Sequence, residues 1–333
     1  KIPLTDDLAN ASGVDVPPEL VLQTANIVGL GAYADVGINV TPRWRVVPSL
    51  RADGYAIGGQ TRYAIDPRIV TRYAATDLWT FKGYLGKFTQ PPQPEALDTR
   101  FGNPLLGLET GYHVGAGFEW RPNRLWLLDT EAYYIWRNDL VVFSRDFDSA
   151  GSGFSREFWT NRGKNHAYRL EGLIRREISE RVFGWLSYTF LVARQQRAPN
   201  EKETPTTFDQ MHTLNAVVSF KPGGGWELGA KFRLSSGRPG TPIIDSTFDA
   251  DSGTYTQVRG EIRSVRLPLF SQLDLRAEKT WLFEQWSLST FLDIQNVYNA
   301  TNVEAVRYDY RFRNSAPVSS LPFLPTIGVR GRW

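Results

Sequence analysis

Residues 286–295 read W-S-L-S-T-F-L-D-I-Q and alternate apolar with polar side chains almost without a break. Successive side chains of a β-strand point to opposite faces, so this period of two predicts a strand with one apolar and one polar face. The apolar face carries Trp286, Leu288, Thr290, Leu292 and Ile294. The polar face carries Ser287, Ser289, Asp293 and Gln295, and Phe291 alone interrupts it.

The stretch before it, residues 272–280, has the same alternation. Leu273 and Leu275 fall on one face, and Asp274 and Glu278 fall on the other. Two such stretches joined by a short turn are typical of a β-hairpin. Their faces suit a wall that separates hydrocarbon from water. The hairpin therefore predicts an all-β fold, an antiparallel transmembrane β-barrel.

The same pattern recurs along the chain and predicts thirteen strands. Twelve of them form six pairs with short turns between partners, and one more strand ends the chain. The pairs are 24–39 with 44–57, 67–74 with 79–89, 109–120 with 125–143, 158–178 with 183–197, 213–220 with 226–235 and 272–280 with 286–297, followed by residues 326–333. Pro, Gly and Asn in several of the turns fit tight hairpins.

Long polar segments separate the pairs from one another. They cover residues 90–108, 145–157, 198–210, 239–267 and 300–325. Outer-membrane barrels have this asymmetry, with short periplasmic turns and long extracellular loops. We therefore expect the short turns at the periplasm and the long segments, together with residues 1–23, outside the cell.

Composition narrows the class of protein further. Mean hydropathy is −0.33, and no run approaches the roughly 18 apolar residues of a spanning helix. The chain has no cysteine, which excludes a disulfide framework and a thiolate metal site. A net charge of +3 over 333 residues gives no indication of nucleic-acid binding. Residues 1–8 contain no apolar signal-peptide core, so we interpret the chain as a mature form or a fragment.

Four segments and the final residue share features with a known family. They are G-K-F-T-Q-P-P at 86–92 with F-G-N-P-L-L-G-L-E at 101–109, Y-R-L-E-G at 168–172, G-R-P-G-T-P at 237–242, residues 273–280 with N-V-Y-N at 296–299, and the terminal aromatic Trp333. In their order and spacing they resemble the C-terminal part of a TonB-dependent outer-membrane receptor, also called a TonB-dependent transporter.

The resemblance implies a 22-stranded barrel filled by an N-terminal plug. Residues 1–333 would be the C-terminal portion of that barrel, with the plug, the TonB box and the first strands absent from this sequence. The implied partners are outer-membrane lipid, the plug and remaining strands on the same or another chain, the TonB complex through the plug, and an unknown small solute. No nucleic acid, cofactor or metal is implied.

The function implied by the resemblance is energy-coupled uptake of a scarce solute across the bacterial outer membrane, without catalysis. The solute would be a siderophore, a cobalamin, a glycan or a peptide. Two alternatives stay open on the sequence alone. One is a passive outer-membrane pore, and the other is half of a split barrel with a structural or interaction role.

Candidate ligand-binding residues lie near the predicted extracellular mouth. Aromatic and arginine side chains in such a place suit the capture of anionic or conjugated ligands. The candidates are Trp159, Arg162, His166, Arg194, Arg197 and Arg238. The alternative interpretation of these residues is an ordinary polar rim.

Other motifs give little support to catalytic or metal chemistry. G-L-G-A-Y-A at 29–34 matches a dinucleotide fingerprint, but no βαβ unit surrounds it. The three histidines are far apart in sequence, and the nucleophile-elbow pattern G-x-S-x-G is absent. Charges on the polar strand faces predict instead a lattice of paired groups. Its members are Asp129, Glu131, Glu171 and Glu177 with Arg137, Arg169 and Arg175.

Overall fold

The computed structural model describes residues 27–57, 59–97, 103–143, 159–179, 181–198 and 201–333. The predicted segments 1–23 and 145–157, and the start of the first predicted strand, lie outside the described residues. Thirteen long strands of the described part form one antiparallel sheet. They are β1 (Ile27–Asp35), β2 (Trp44–Ile57), β3 (Gln60–Ala74), β4 (Trp79–Gln90), β5 (Glu109–Asn123), β6 (Trp126–Phe143), β7 (Trp159–Arg176), β8 (Val182–Gln196), β9 (His212–Gly223), β10 (Trp226–Ser235), β11 (Phe270–Leu282), β12 (Ser287–Gln295) and β13 (Leu324–Arg332).

Each strand of the sheet pairs with its neighbours in the chain, in the order β1 to β13. The predicted strand count and antiparallel pairing are confirmed. Short turns join the strand pairs β1–β2, β3–β4, β5–β6, β7–β8, β9–β10 and β11–β12. The end of the sheet where these turns lie is called the turn edge. The opposite end, which holds the other connections, is called the loop edge. In the part of the chain that the structure describes, β1 and β13 do not pair with each other, so the sheet is open.

Short elements supplement the sheet, and all fold within connections at the loop edge except Ile38–Thr41, which lies between β1 and β2 at the turn edge. They are Ile38–Thr41 beside β2, Thr204–Pro205 beside β8, the hairpin of Ile243–Asp249 with Thr254–Arg259, the pair Pro239–Gly240 with Val265–Arg266, the hairpin of Val303–Tyr308 with Ser315–Ser319, and the 3₁₀ turn Pro94–Leu97. No helix among the described residues is long and apolar enough to cross a membrane.

The start of β3 differs from the prediction. β3 begins at Gln60 rather than at residue 67, and Gln60 pairs with Ile57. The connection between β2 and β3 is therefore a tight turn, although it lies at the loop edge. Gly59 has a φ of +80°, which this turn needs and which glycine adopts without a Cβ clash. Pro67, the predicted start of this strand, lies inside β3 opposite Leu50.

The sheet has one apolar and one charged face, as the alternation predicts. Hydrogen bonds on the charged face join side chains two strands apart. Arg72 of β3 donates to Glu119 of β5 at 2.8 Å, and Lys82 of β4 donates to Asp129 of β6 at 2.6 Å. Curvature toward a face favours such contacts across an intervening strand. We therefore interpret the charged face as the concave, luminal face and the apolar face as the outward one.

The outward face carries large exposed apolar side chains. Members on successive strands are Leu170, Leu186, Val218, Leu228, Leu275, Leu292 and Ile327. Register pairs such as Ala277 with Leu228 and with Leu292 keep these side chains in lateral rows across the sheet. The face predicted for residues 286–294 is thus the same face in every neighbouring strand.

Phe291, which interrupts the polar alternation, is accommodated by a glycine. Phe291 lies on the luminal face opposite Gly328 of β13. A Cβ atom at Gly328 would collide with the phenyl ring. The guanidinium of Arg276 lies 4.1 Å from the ring centroid, in a cation–π contact. The ring therefore fills the place of a side chain on β13 and remains compatible with a charged lumen.

The buried apolar core is small and lies at the loop edge. Ile57, Ala96, Leu97 and Leu106 are buried together, and Trp159 packs against them. A sheet whose outward face meets lipid needs no second apolar layer behind it. This core therefore fastens the β4–β5 connection to the loop-edge ends of β2 and β7.

Candidate ligand-binding site

Two of the six predicted site residues make contacts away from the lumen. Trp159 belongs to the buried core, and its carbonyl oxygen accepts a hydrogen bond from Asn103 Nδ2 at 2.9 Å. His166 lies on the outward face, where its ring centroid is 5.4 Å from that of Tyr168. Its Nδ1 atom is 3.7 Å from a carboxylate oxygen of Glu203. Such aromatic contacts resemble the girdle at a membrane interface.

Arg194 belongs to a buried ionic cluster centred on Asp209. Asp209 is 0% exposed and accepts hydrogen bonds from Arg194 Nη1 at 2.9 Å and from Arg266 Nη2 at 2.6 Å. The backbone amide of Ala193 donates to its other carboxylate oxygen at 3.0 Å. Arg194 and Ala193 lie on β8, Asp209 lies in the β8–β9 connection, and Arg266 lies in the β10–β11 connection. The Asp209 cluster therefore ties two loops to the wall.

Further arginines of the same two connections contact neighbouring groups. Arg197 Nε lies 3.9 Å from the carboxylate of Glu201. Arg263 donates from Nη1 to the carbonyl of Pro205 at 3.0 Å. Burial, and then the charge of Arg197, lower the pKa of Arg263 below its ordinary value. Arg162, the other rim candidate, is exposed. The arginines at the loop edge thus range from partly buried to exposed.

Arg238 lines a cavity of about 290 Å³ on the luminal side of β10 and β11. The wall strands and residues of three long connections enclose it together. The lining groups that bear on its chemistry are Lys231, Arg233, Ser235, Arg238, Phe270, Gln272, Asp274 and Glu304. The cavity therefore unites one predicted site residue with wall residues that the sequence analysis did not select.

Three cations of this cavity have no acidic partner. None of Lys231, Arg233 and Arg238 has a carboxylate oxygen within 4.0 Å among the residues that the structure describes. Arg233 instead lies 5.1 Å from the ring centroid of Phe270. On the neighbouring strand, the luminal Arg276 binds two carboxylates, each at 2.6 Å. The cations of the cavity thus differ from Arg276, whose charge is paired with carboxylates.

The remaining polar groups of the cavity divide into satisfied and unsatisfied ones. Asp274 accepts hydrogen bonds from Gln272 Nε2 at 2.8 Å and from the backbone amide of Asn296 at 3.0 Å. Ser235 is only 1% exposed, and its hydroxyl has no hydrogen-bond partner among the described residues. A buried hydroxyl without a partner costs about 1–3 kcal/mol, and a polar group bound in the cavity would satisfy it.

The predicted lattice of luminal charges exists, with one change of partners. The confirmed pairs are Arg169 with Glu171 and Arg175 with Glu177. Asp129 and Glu131 bind Lys82 at 2.6 Å and 3.5 Å rather than the arginines named from the sequence. Lys82 reaches them from two strands away because the concave face brings long side chains together.

The other sequence motifs lie in ordinary wall positions. Residues 29–34, which match the dinucleotide fingerprint, belong to β1. Gly31 of this motif faces Asp53 of β2 so closely that a Cβ atom would collide with the carboxylate. A metal-binding group of three or more His, Asp or Glu side chains does not occur among the described residues.

A curved antiparallel sheet with an apolar outer face, a charged inner face and long connections at one edge defines the wall of an outer-membrane β-barrel. The sequence matches the family described as TonB dependent receptor-like, beta-barrel, over residues 5–297. The chain belongs to this family. Its members are transporters rather than enzymes, and membership places the chain in the outer membrane of a Gram-negative bacterium. A search of curated proteins finds no match.

Solved structures share the fold at low sequence identity. The ferripyoverdine receptor of Pseudomonas aeruginosa, bound to ferripyoverdine, has a TM-score of 0.67 and 15% identity, over 93% of this chain and 39% of that one. The ferric-catecholate import receptor Fiu of Escherichia coli K12 has a TM-score of 0.67 and 12% identity, over 92% of this chain and 45% of that one. The FrpB iron transporter of Neisseria meningitidis has a TM-score of 0.64 and 13% identity, over 93% of this chain and 46% of that one. This chain thus spans less than half the length of each.

Proposed function

We propose that this chain forms the C-terminal wall, the outer loops and part of the ligand surface of a TonB-dependent transporter for a small anionic solute. One observation carries the ligand class: among the residues that the structure describes, the three cations of the luminal cavity beside β10 and β11 have no acidic partner. Arginine guanidinium groups bind carboxylates and similar oxyanions through paired hydrogen bonds. A solute with an oxyanion group fits this chemistry.

The position of the cations supports binding by wall and loop together. Lys231 and Arg233 lie on β10, and Arg238 lies in the connection that follows. An anionic group held between them would contact a fixed strand and a longer loop at once. Of the six predicted site residues, Arg238 is therefore the proposed direct contact, with Arg162 and Arg197 at the rim. Arg194, Trp159 and His166 would act by holding the mouth in shape.

The open sheet supports the proposed partners. Unpaired backbone groups in hydrocarbon cost several kcal/mol each, so the free edges of β1 and β13 require further strands. In a closed 22-stranded barrel these strands would join β13 to the start of the barrel, and a plug would fill the lumen. The additional strands and the plug, on the same or another chain, and the TonB complex acting through the plug are the proposed partners.

The ligand class is narrower than the sequence analysis allowed. Siderophores, cobalamins, glycans and peptides all remained open there. The cavity favours those with a carboxylate, catecholate or comparable oxyanion. Two of the related structures carry the names of iron chelates, ferripyoverdine and a ferric catecholate, and these names apply to those proteins.

The variant Arg233→Gln, in the intact protein that contains this chain, is expected to lower uptake of an anionic solute about tenfold. The substitution removes a charged hydrogen-bond donor and keeps a polar, unbranched side chain. Iron-starved cells that rely on this protein would be supplied with radioactive iron as ferric citrate and as a ferric tris-catecholate. Initial uptake would be measured with and without a functional TonB complex.

Arg313→Gln is the matched control, because Arg313 is exposed at the tip of the β12–β13 connection, away from the cavity. The proposal requires uptake of an anionic chelate that depends on TonB, falls in Arg233→Gln and persists in Arg313→Gln. Uptake that continues without TonB would instead support the passive pore. An equal loss of uptake in both variants would contradict a role for the cavity in binding the solute.

A further inference from the structure

A groove of about 370 Å³ crosses the outward face over β7 to β10, near the turn edge. Its floor consists of small residues on three adjacent strands, Gly184, Ala216 and Ala230. Val218 pairs with Gly184 on one side and with Ala230 on the other, so the exposed Val218 side chain lies between these two small residues, and Ala216 lies in the next outward-facing row. Larger side chains form the walls, among them Trp126, Ile174, Leu186 and Phe232.

One cation lies in this otherwise apolar groove. Arg176 is the last residue of β7, and its register partner on β8 is Gly184, which leaves the space beside it open. The Nε atom of Arg176 is buried and has no hydrogen-bond partner among the described residues. Its guanidinium carbon lies 5.7 Å from the ring centroid of Trp126. The preceding residue, Arg175, points to the lumen instead and binds Glu177 at 2.5 Å.

The depth of Arg176 in the membrane explains how a cation is tolerated on the outward face. An arginine facing lipid costs about 2–4 kcal/mol at the bilayer midplane but about 0–1 kcal/mol near the interfaces. Trp126 follows the β5–β6 turn directly, so the groove opens at the interface on the turn edge. Short turns of such barrels are periplasmic, and the phosphate groups of phospholipids lie at that level.

We propose that the groove binds one phospholipid of the periplasmic leaflet. A phosphate oxygen accepts hydrogen bonds from the guanidinium of Arg176, including its unpartnered Nε. One acyl chain lies over Gly184, Ala216 and Ala230, which carry at most a methyl group, and beside Val218. Charge complementarity selects this occupant, because an apolar protein segment would leave Arg176 without a partner. Basic pockets beside membrane-spanning segments bind lipid head groups in the same way.

The test titrates the intact protein in detergent with phosphatidylglycerol and counts bound lipids by native mass spectrometry. Arg176→Gln is expected to weaken retention of the tightest-bound lipid about tenfold, because it removes the charged donors. Ala230→Phe is expected to weaken it as well, because the ring fills the floor without changing polarity. Arg181→Gln, at an exposed position in the adjacent turn, removes the same charge outside the groove and is expected to leave retention unchanged.

Each outcome decides the proposal, provided that the variants keep the heat-modifiable gel mobility of a folded barrel. A wild-type protein that retains no lipid beyond an exchangeable annulus would overturn it. Equal weakening by Arg176→Gln and Arg181→Gln would show general charge attraction in place of a site. A photoactivatable acyl chain that crosslinks to β8, β9 and β10 in the wild type, and no longer does so in Ala230→Phe, would support the assigned chain position.

Discussion

Replacing Asp209 with Asn is expected to release the β8–β9 and β10–β11 connections from the barrel wall. The substitution keeps the size of the side chain but removes the charge that Arg194 and Arg266 share. Loss of one partner from a buried ionic cluster costs about 3–5 kcal/mol. Because both arginines are partly exposed, the expected loss of stabilising free energy is about 3 kcal/mol. Amide hydrogen exchange in these connections should therefore accelerate roughly hundredfold.

A second ion pair between the same two connections provides a matched control. Lys202 and Glu261 lie 2.7 Å apart, with side chains 80% and 59% exposed. An exposed pair of this kind contributes about 0–1 kcal/mol, so Glu261→Gln should leave exchange nearly unchanged. Similar acceleration in both variants would mean that the Asp209 cluster does not hold the loops. Exchange within β9 serves as the internal reference for the wall.

Leu292→Arg is expected to destabilise the barrel by about 2–4 kcal/mol, the cost of an arginine facing lipid near the bilayer midplane. Leu292 is 39% exposed on the outward face and pairs with Ala277 and Ile327. It lies midway in sequence between the exposed aromatic residues Trp286 and Tyr298, which suit the two interfaces. Urea-dependent folding of the intact protein into phospholipid vesicles measures this change in the free energy of unfolding.

Two further arginine variants separate depth from face. Leu288 lies on the same face but pairs with Trp281, next to the β11–β12 turn, so Leu288→Arg should cost only about 0–1 kcal/mol. Gln295→Arg, on the luminal face, should also have a small effect. A cost at Leu288 or Gln295 as large as that at Leu292 would contradict the assignment of faces and depth.

The strand faces could be predicted from the sequence because they depend on a local rule. Alternation at residues 286–295 fixes which side chains share a face, and pairing with neighbours repeats the same division across the sheet. The one clear misplacement is the start of β3. Alternation continues through Tyr63 and Ile65, both exposed on the outward face, before Pro67 is reached. That alternation is the sequence signal for the earlier start at Gln60.

The candidate site depends on contacts that no local pattern encodes. Asp209 and Arg266 are joined across 57 positions of sequence, and each lies in a segment that reads as solvated loop. The cavity likewise forms only when β10, β11 and three connections come together, and only then do Lys231 and Arg233 differ from other luminal cations. Arg238 is predicted from its place near the extracellular mouth, and the lack of a carboxylate partner among the described residues appears only in the structure.

The most direct test of the account measures which solvent each side of β10 meets. The chain has no cysteine, so spin labels can be placed singly along residues 227–234 of the intact protein in lipid vesicles. The account predicts that Leu228, Ala230 and Phe232 are accessible to oxygen dissolved in lipid, whereas Lys231 and Arg233 prefer a water-soluble nickel chelate. The same preference at all positions, or an inverted alternation, would contradict a wall that separates lipid from an aqueous binding cavity.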